Sequence, residues 1–301
     1  MITLKQLSYA LAVQKTLHFK KAADQCAVSQ SALSTAIAEL ETQLGAQIFE
    51  RDNKRVLVTP LGESILAKAQ TINLEMKELY QFAQSRKSPL SCPMTLGVIP
   101  TIGPYLLPKA LPEVRRQYPD FQLTLVEEQS HVLVDQVRSG EIDTAILALP
   151  YDTHGLHAFT FWEEDFQVVV HCDDAFSQQK KITTRQLKDA HLLLLKEGHC
   201  LKDHALAACK LQATEIQESL AGTSLATLVQ MVAGKMGTTL VPEMALQQLV
   251  EDNHEIRAVP LDEPGPHRKL AFITRLNYGG TSDIERLMAL FKSQLENSCK
   301  G

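Results

Sequence analysis

The first part of the chain carries apolar residues at helical spacing, and it predicts three short helices followed by a hairpin. Ser29 stands where it can cap the third helix, and Gly45 stands where it can end it. Residues 48–59 then read as two short strands around a polar turn. This order predicts a mostly α-helical winged helix-turn-helix over residues 1–58. The apolar face of the third helix consists of Leu33, Ile37, Leu40 and Leu44.

A longer apolar repeat runs from Pro60 to about residue 86, with spacings that alternate between four and three residues. This mean spacing is typical of a coiled-coil seam, so residues 59–88 are predicted to form a linker helix that dimerises. The alternative is a single amphipathic helix packed on its own domain. The expected dimer positions are Ile65, Ala69, Ile72, Met76 and Leu79.

Beyond a turn-rich linker at residues 85–93, the pattern changes to alternating strands and helices. Such alternation predicts parallel α/β sheets with ligands at the carboxyl ends of the strands. Chain crossings near residues 149–166 and 264–268 predict two lobes, with the chain returning to the first lobe at its end. Residues 89–301 are therefore expected to form a two-lobed α/β regulatory domain.

The charge distribution separates these parts. The net charge is -5, made up of +3 over residues 1–88 and -8 over residues 89–301. A mildly basic module on an acidic body suits nucleic-acid binding. No apolar run approaches the ~20 residues of a membrane span, and the N-terminus does not resemble a secretory signal. We therefore expect a cytoplasmic protein without a membrane partner, whose six cysteines are mostly reduced.

The polar face of the third helix is the predicted DNA-reading surface. Its small side chains suit base edges, and its N-terminus favours phosphate. Nearby basic residues can neutralise backbone phosphates. A solvated helix face is the alternative, and the absence of Arg and Lys from this face assigns it little sequence discrimination. The expected DNA-binding residues are Ser29, Gln30, Ser31, Ser34 and Thr35 on the helix, with Lys20, Lys21, Arg51, Lys54 and Arg55 around it.

This region resembles a known family. Residues 19–66 read FKKAADQCAVSQSALSTAIAELETQLGAQIFERDNKRVLVTPLGESIL. The run is similar to the LysR-type regulator signature, with AA, VSQ-x-ALS-x-x-I-x-x-LE, LG-x-x-x-FER and T-x-x-G in order. The resemblance extends over the whole chain. It implies a winged helix-turn-helix, a dimerising linker helix and a two-lobed, periplasmic-binding-protein-like effector domain, commonly in tetramers. Ser31 stands where many relatives have proline.

A second region of interest is residues 196–209, KEGHCLKDHALAAC. Cys200 is expected at a helix N-terminus, where the helix dipole, His199 and Lys202 favour the thiolate and Asp203 opposes it. Cys209 is expected on the buried side of the same helix. In a regular helix the two Cα atoms would lie ~13 Å apart, whereas a disulfide requires less than ~7 Å. Bond formation would therefore refold this segment.

Two other interpretations of these cysteines remain open. Isolated cysteines are often buried small hydrophobic residues without a chemical role. The set His199, Cys200, His204 and Cys209 could also bind zinc, although the spacing matches no common site.

The same segment resembles the OxyR group of hydrogen-peroxide sensors within the LysR family. VIPTIGPYLLP at residues 98–108 and TSLATLVQMVAGKMGTTLVP at residues 223–242 are also similar. The resemblance implies that Cys200 is the peroxidatic cysteine and Cys209 the resolving one. It also implies a peroxide site; Ser130 replaces a threonine there, and His267 stands where a relative can carry a second arginine. The resemblance implies Thr101, Ser130 and Arg268 as the residues that position peroxide, and the neighbours His199 and Asp203 complete the predicted site around Cys200.

The expected function is therefore a DNA-binding transcription activator that senses hydrogen peroxide. Its expected partners are promoter DNA, hydrogen peroxide, further copies of the chain, RNA polymerase and a thiol reductant. No cofactor or metal is expected. One alternative is a regulator controlled by an organic effector between the lobes, and another is a thiol peroxidase fused to a DNA-binding domain. The sequence shows no recycling partner for such an enzyme, so we expect no enzymatic activity.

Overall fold

The computed structural model describes residues 1–52, 55–85, 88–196, 198, 200–209, 221–222 and 224–298. The chain divides into two compact units, Met1–Ala83 and Gln84–Gly301. None of the described helices is long and apolar enough to cross a membrane. The elements from the N-terminus to the end of the long helix are α1 (Leu4–Thr16), α2 (Phe19–Gln25), α3 (Gln30–Leu44), β1 (Phe49–Asp52), β2 (Arg55–Val58) and α4 (Pro60–Ser85).

The third helix begins and ends as the sequence predicts. The Ser29 hydroxyl accepts the backbone N–H of Ala32 at 3.2 Å, and Gly45 closes the helix with φ of 61°. On the apolar face, Leu33, Ile37 and Leu40 are fully buried. The expectation that Leu44 is buried with them was wrong, because this residue lies in the last turn of the helix and is exposed to solvent. β1 and β2 form the expected antiparallel hairpin, and the residues of its turn, Asn53 and Lys54, lie outside the described residues.

The long helix α4 divides the predicted seam into two parts. Ala69 is 2% exposed and belongs to the core of its own domain, and Ile65 packs against the same core. The expectation of a dimer contact at Ala69 was therefore wrong, because the core of its own domain covers it, whereas a dimer contact at the partly buried Ile65 stays a prediction. Ile72, Met76 and Leu79 are 46%, 44% and 63% exposed. Only this later part of the helix presents an apolar stripe.

The second unit alternates strands and helices in two lobes. A short 3₁₀-helix, Ala175–Gln178, precedes α7. The elements are β3 (Met94–Val98), α5 (Gly103–Gln117), β4 (Leu123–Glu127), α6 (Ser130–Ser139), β5 (Thr144–Leu149), β6 (Leu156–Glu164), β7 (Phe166–His171), α7 (Thr184–Asp189), β8 (Leu194–Leu195), α8 (Cys200–Ala208), β9 (Ala221–Gly222), α9 (Leu225–Ala233), β10 (Thr239–Pro242), α10 (Glu243–Leu249), β11 (Ile256–Pro260), β12 (Arg268–Arg275) and α11 (Thr281–Ser298).

The two lobes have different sheets. The first lobe contains five strands in the order β4-β3-β5-β12-β6, in which β3 pairs in parallel with β4 and β5. β12 pairs antiparallel with β5 and β6, and the second-lobe sheet β10-β7-β11 is antiparallel throughout. The prediction of purely parallel sheets was therefore wrong. Alternation along the sequence fixes which segments are strands, but it does not fix the direction in which the returning strands pair.

The chain crosses between the lobes where the sequence predicts. It leaves the first lobe between β6 and β7 and returns between β11 and β12. The crossings bring the start of β12 and the end of β6 side by side, with Arg268 opposite Glu164. Helix α8 begins close to the carboxyl ends of β3 and β5, which is where ligands bind in α/β sheets.

Candidate functional site

Cys200 is the first residue of α8 and is buried, with 4% of its surface exposed. Its thiol contacts the hydroxyl of Ser130, the first residue of α6, and the backbone of Ala148 in β5. The Ser130 hydroxyl is itself buried and has no nitrogen or oxygen partner among the described residues. Cys200 therefore lies in an enclosed site between the two lobes. This small pocket leaves no room for a water-sized molecule and is lined by Ile99, Pro100, Thr101, Gln129, Ser130, Gly198 and Cys200.

The electrostatics of Cys200 differ from the prediction. Burial raises the pKa of its thiol above the ordinary value, and the charge of Asp203 acts in the same direction. Ser130, Arg268 and the Ala148 backbone lower the pKa, but less than burial raises it. Desolvation, which the sequence did not show, is the largest of these effects and disfavours the thiolate that the sequence reasoning expected to be favoured. His199, which was expected to contribute, lies outside the described residues. Asp203 is exposed at the surface of α8.

Arg268 is the charged group of the site and is 1% exposed. Its Nη1 donates to the Thr101 hydroxyl at 3.4 Å, and its Nη2 donates to the Thr101 carbonyl at 3.3 Å. Thr101, just beyond β3, is also buried. The structure thus brings Cys200, Ser130, Thr101 and Arg268 together, as the sequence resemblance implied for a peroxide site. Their roles remain predictions.

Two further buried groups belong to this site, of which the sequence reasoning missed one and considered the other only as a possible zinc ligand. Glu164 forms a fully buried ion pair with Arg268, with Nη2 at 2.6 Å from Oε1. His204 is 2% exposed and donates from Nε2 to the Pro150 carbonyl at 2.8 Å. Burial lowers the pKa of this imidazole, and Arg268 adds to the effect. The helical spacing of Cys200 and His204 could have indicated a shared face of α8. No sequence signal paired Glu164 with Arg268, because 104 residues separate them.

Cys209 follows the last residue of α8, and its N–H donates to the Ala205 carbonyl at 3.0 Å. The residue is fully buried, and burial raises the pKa of its thiol to about 12. The prediction that Cys209 is buried is confirmed. Both Cys200 and Cys209 are free thiols. Because the segment between them is helical, their Cα atoms lie ~13 Å apart at 1.5 Å per residue.

His267 lies at the return crossing, directly before Arg268. Its ring stacks on Phe166 with centroids 5.8 Å apart, and its Nδ1 accepts the Phe166 N–H at 3.0 Å. The zinc alternative finds no support in the described part of the chain, where no group of three or more His, Cys, Asp or Glu residues could hold a metal ion.

The expected DNA-binding residues of α2 and α3 are mostly at the surface. Ser34 is half-buried, and Ser29 is occupied in part by capping α3. The side chains of Arg51, Lys54 and Arg55 lie outside the described part of the structure. The polar start of α3 is therefore accessible in its own domain, together with two lysines. The exposed members are Lys20, Lys21, Ser29, Gln30, Ser31 and Thr35.

Comparisons with known proteins agree with this architecture. Residues 4–63 match the family model of the bacterial regulatory helix-turn-helix proteins of the lysR family. Residues 89–296 match the LysR substrate binding domain. The two matches correspond to the helix-turn-helix domain and the two-lobed domain.

Individual relatives match along nearly the whole chain. The HTH-type transcriptional regulator EstR of Acinetobacter baylyi is 38% identical over 293 residues, covering 96% of each chain. A hydrogen peroxide-inducible genes activator of Dickeya chrysanthemi is 34% identical over 275 residues, covering 91% of this chain and 90% of the relative. The structure of a variant of full-length OxyR from Pseudomonas aeruginosa superposes with a TM-score of 0.79 at 33% identity, covering 97% of this chain and 95% of that one. The chain therefore belongs to the LysR family of transcriptional regulators and closely resembles its OxyR members.

Proposed function

We propose that this regulator senses hydrogen peroxide through oxidation of Cys200, followed by a Cys200–Cys209 disulfide that unwinds α8. The observation that carries the proposal is the position of Cys200, which is buried beside Ser130 and close to Arg268, with a second buried thiol on the same helix. The similarity to peroxide-inducible activators supports the choice of oxidant.

The first step is attack of the Cys200 thiolate on one oxygen of hydrogen peroxide. The O–O bond breaks, the sulfur becomes a sulfenic acid, and the leaving hydroxide takes up the proton released by the thiol to give water. Hydroxyl groups of Ser130 and Thr101 and the Arg268 guanidinium stabilise the oxygens as charge moves onto the leaving one. Oxidation requires no cofactor in this scheme.

The burial of Cys200 makes the site selective. At neutral pH the thiol is protonated at rest, because desolvation raises its pKa. Its pocket leaves no room for a water-sized molecule, so the site has to open to admit hydrogen peroxide and disfavours larger oxidants. Ser130 and Arg268, which favour the thiolate, also donate hydrogen bonds to peroxide in this proposal.

The second step joins the two cysteines. The Cys200 sulfenic acid condenses with the Cys209 thiol, which forms the S–S bond and releases water. A disulfide needs Cα atoms within ~7 Å, about half of their separation in a regular helix. The reaction therefore requires α8 to unwind, and the chemical change becomes a conformational one. A thiol reductant would reverse it.

The output of the switch is DNA binding by residues 1–58. In this proposal Gln30, Ser31, Ser34 and Thr35 face base edges, and Lys20 and Lys21 contact phosphates. Residues 59–88 join two chains through Ile72, Met76 and Leu79, and pairs of dimers form a tetramer. The rearranged regulatory domains, residues 89–301, would alter the spacing of DNA-binding domains and contact with RNA polymerase.

The proposal is tested by measuring peroxide-induced transcription in cysteine variants. Cys200→Ser should abolish the response, whereas Cys209→Ser should react but stall at sulfenic acid or a mixed disulfide. Cys172→Ser is the matched control, because this half-buried thiol lies in the second lobe and bonds to the His254 carbonyl. A full response in Cys200→Ser would contradict the proposal. If that variant instead responded to an organic molecule, the protein would be an effector-binding regulator.

A further inference from the structure

Glu164 is a buried carboxylate at the end of β6, with only 1% of its side chain exposed. Its Oε1 accepts from Arg268 Nε at 2.7 Å and lies 2.6 Å from Nη2. Its Oε2 accepts the backbone N–H of Met244, at the start of α10, at 2.9 Å. Because a buried charge is costly unless it is paired, these partners explain how both ions are retained in the interior.

The guanidinium of Arg268 is held on two edges. Nε and Nη2 face Glu164, whereas Nη1 and the second hydrogen of Nη2 face the hydroxyl and the carbonyl of Thr101. One N–H of Nη1 is left without a partner among the described residues. The guanidinium is planar, so its N–H groups have fixed directions relative to one another. Hydrogen bonds along one edge therefore determine where the remaining N–H points.

We propose that Glu164 is a positioning residue for the peroxide reaction, which fixes Arg268 beside Thr101 and Cys200 so that the guanidinium meets the peroxide oxygens. This inference rests on the proposed function. Glu164 touches neither the sulfur nor the pocket lining, and it acts through Arg268. Without the carboxylate, the guanidinium would carry an uncompensated buried charge and would leave this orientation.

The arrangement also joins the two lobes around the pocket. Glu164 ends the last first-lobe strand before the crossing, Met244 belongs to the second lobe, and Arg268 begins the strand that returns. Thr101 connects the same network to the first lobe. Two first-lobe residues, Glu164 and Thr101, therefore orient Arg268, and the Glu164 carboxylate links this pair to the second lobe through the Met244 N–H.

The test compares Glu164→Gln with Glu163→Gln in the full-length protein. Glu163 is the matched control, because it is adjacent, half-exposed and paired with Lys269. The measurement is the second-order rate constant for Cys200 oxidation by hydrogen peroxide, followed by trapping the sulfenic acid. We expect Glu164→Gln to slow oxidation at least tenfold, which is less than the roughly 10²- to 10³-fold cost of removing an aligned donor altogether, and Glu163→Gln to leave the rate unchanged.

A double-mutant cycle separates positioning from a general structural effect. In an Arg268→Ala background, Glu164→Gln should slow oxidation no further, because the group it positions is gone. Glu164→Asp, which keeps the charge on a shorter side chain, should recover part of the rate and serves if the glutamine variant does not fold. Equal slowing in both backgrounds, or an unchanged rate in Glu164→Gln, would overturn the inference. Failure of the proposed function would appear separately, as absence of Cys200 oxidation in the wild-type protein.

Discussion

Replacing Ala207 by glycine measures whether α8 unwinds when the disulfide forms. Ala207 is exposed in α8, so the change removes no packing and acts on the helix alone. Glycine destabilises a helix by about 0.5 to 1 kcal/mol relative to alanine. Only the reduced protein contains this helix in our account. The substitution therefore raises the free energy of the reduced form and should make the midpoint potential of the Cys200–Cys209 couple more negative by about 10 to 20 mV.

The assay equilibrates the protein with glutathione buffers and quantifies the two thiols by alkylation and mass spectrometry. Ala289→Gly is the matched control, since Ala289 is an exposed alanine in α11 and this helix has no part in the switch. It should lower the stability of the protein to a similar extent and leave the potential unchanged. Equal potentials for wild type and Ala207→Gly would refute the reasoning, because they would mean that α8 is intact in the oxidised form.

Three other predictions concern the remaining parts of the protein. Lys21→Ala should weaken DNA binding about equally for all sequences and reduce the slope of log affinity against log salt by about 1, measured by fluorescence anisotropy; an unchanged slope would remove Lys21 from the interface. Charged residues at Ile72 and Met76 should give smaller assemblies in sedimentation, because each charge would be buried in an apolar seam, and an intact assembly would contradict this role for α4. Since burial lowers the pKa of His204 in reduced α8, protonation favours the unwound state, where the ring has its ordinary value near 6.5. The measurement is the difference in midpoint potential between wild type and His204→Gln, both of which retain Asp203 and Arg268. This difference should be constant above about pH 7 and change as the pH falls through about 6.5; a constant difference down to pH 5 would contradict this role of His204.

Local signals in the sequence predicted the DNA-binding domain well. Ser29 and Gly45 bound α3 as expected, because capping depends on a few neighbouring residues. Strand pairing was predicted less well. The antiparallel sheet of the second lobe was not anticipated, because it depends on contacts between segments far apart in the chain. The assignment of Ala69 to the dimer seam failed for the same reason. The apolar repeat of α4 shows that Ala69 is buried, but not whether its own domain or a second chain buries it.

For the site, the resemblance to OxyR predicted the site residues Cys200, Thr101, Ser130 and Arg268, and the fold places these four residues together. Burial was the property that the sequence did not supply. The expected thiolate followed from charges near Cys200 in the sequence, whereas the surrounding lobes remove water and raise its pKa. The role of Glu164 could not be predicted for a related reason, because the sequence shows neither that this carboxylate is buried nor that it pairs with Arg268.

The central claim is that peroxide joins Cys200 to Cys209. It is tested most directly by treating the reduced, full-length protein with one equivalent of hydrogen peroxide, blocking free thiols at once and mapping the peptides by mass spectrometry without reduction. Our account predicts one dominant crosslinked peptide pair, Cys200 with Cys209, with Cys26, Cys92 and Cys172 alkylated as free thiols. A dominant crosslink between other cysteines, or an unmodified Cys200 after the peroxide has been consumed, would contradict it.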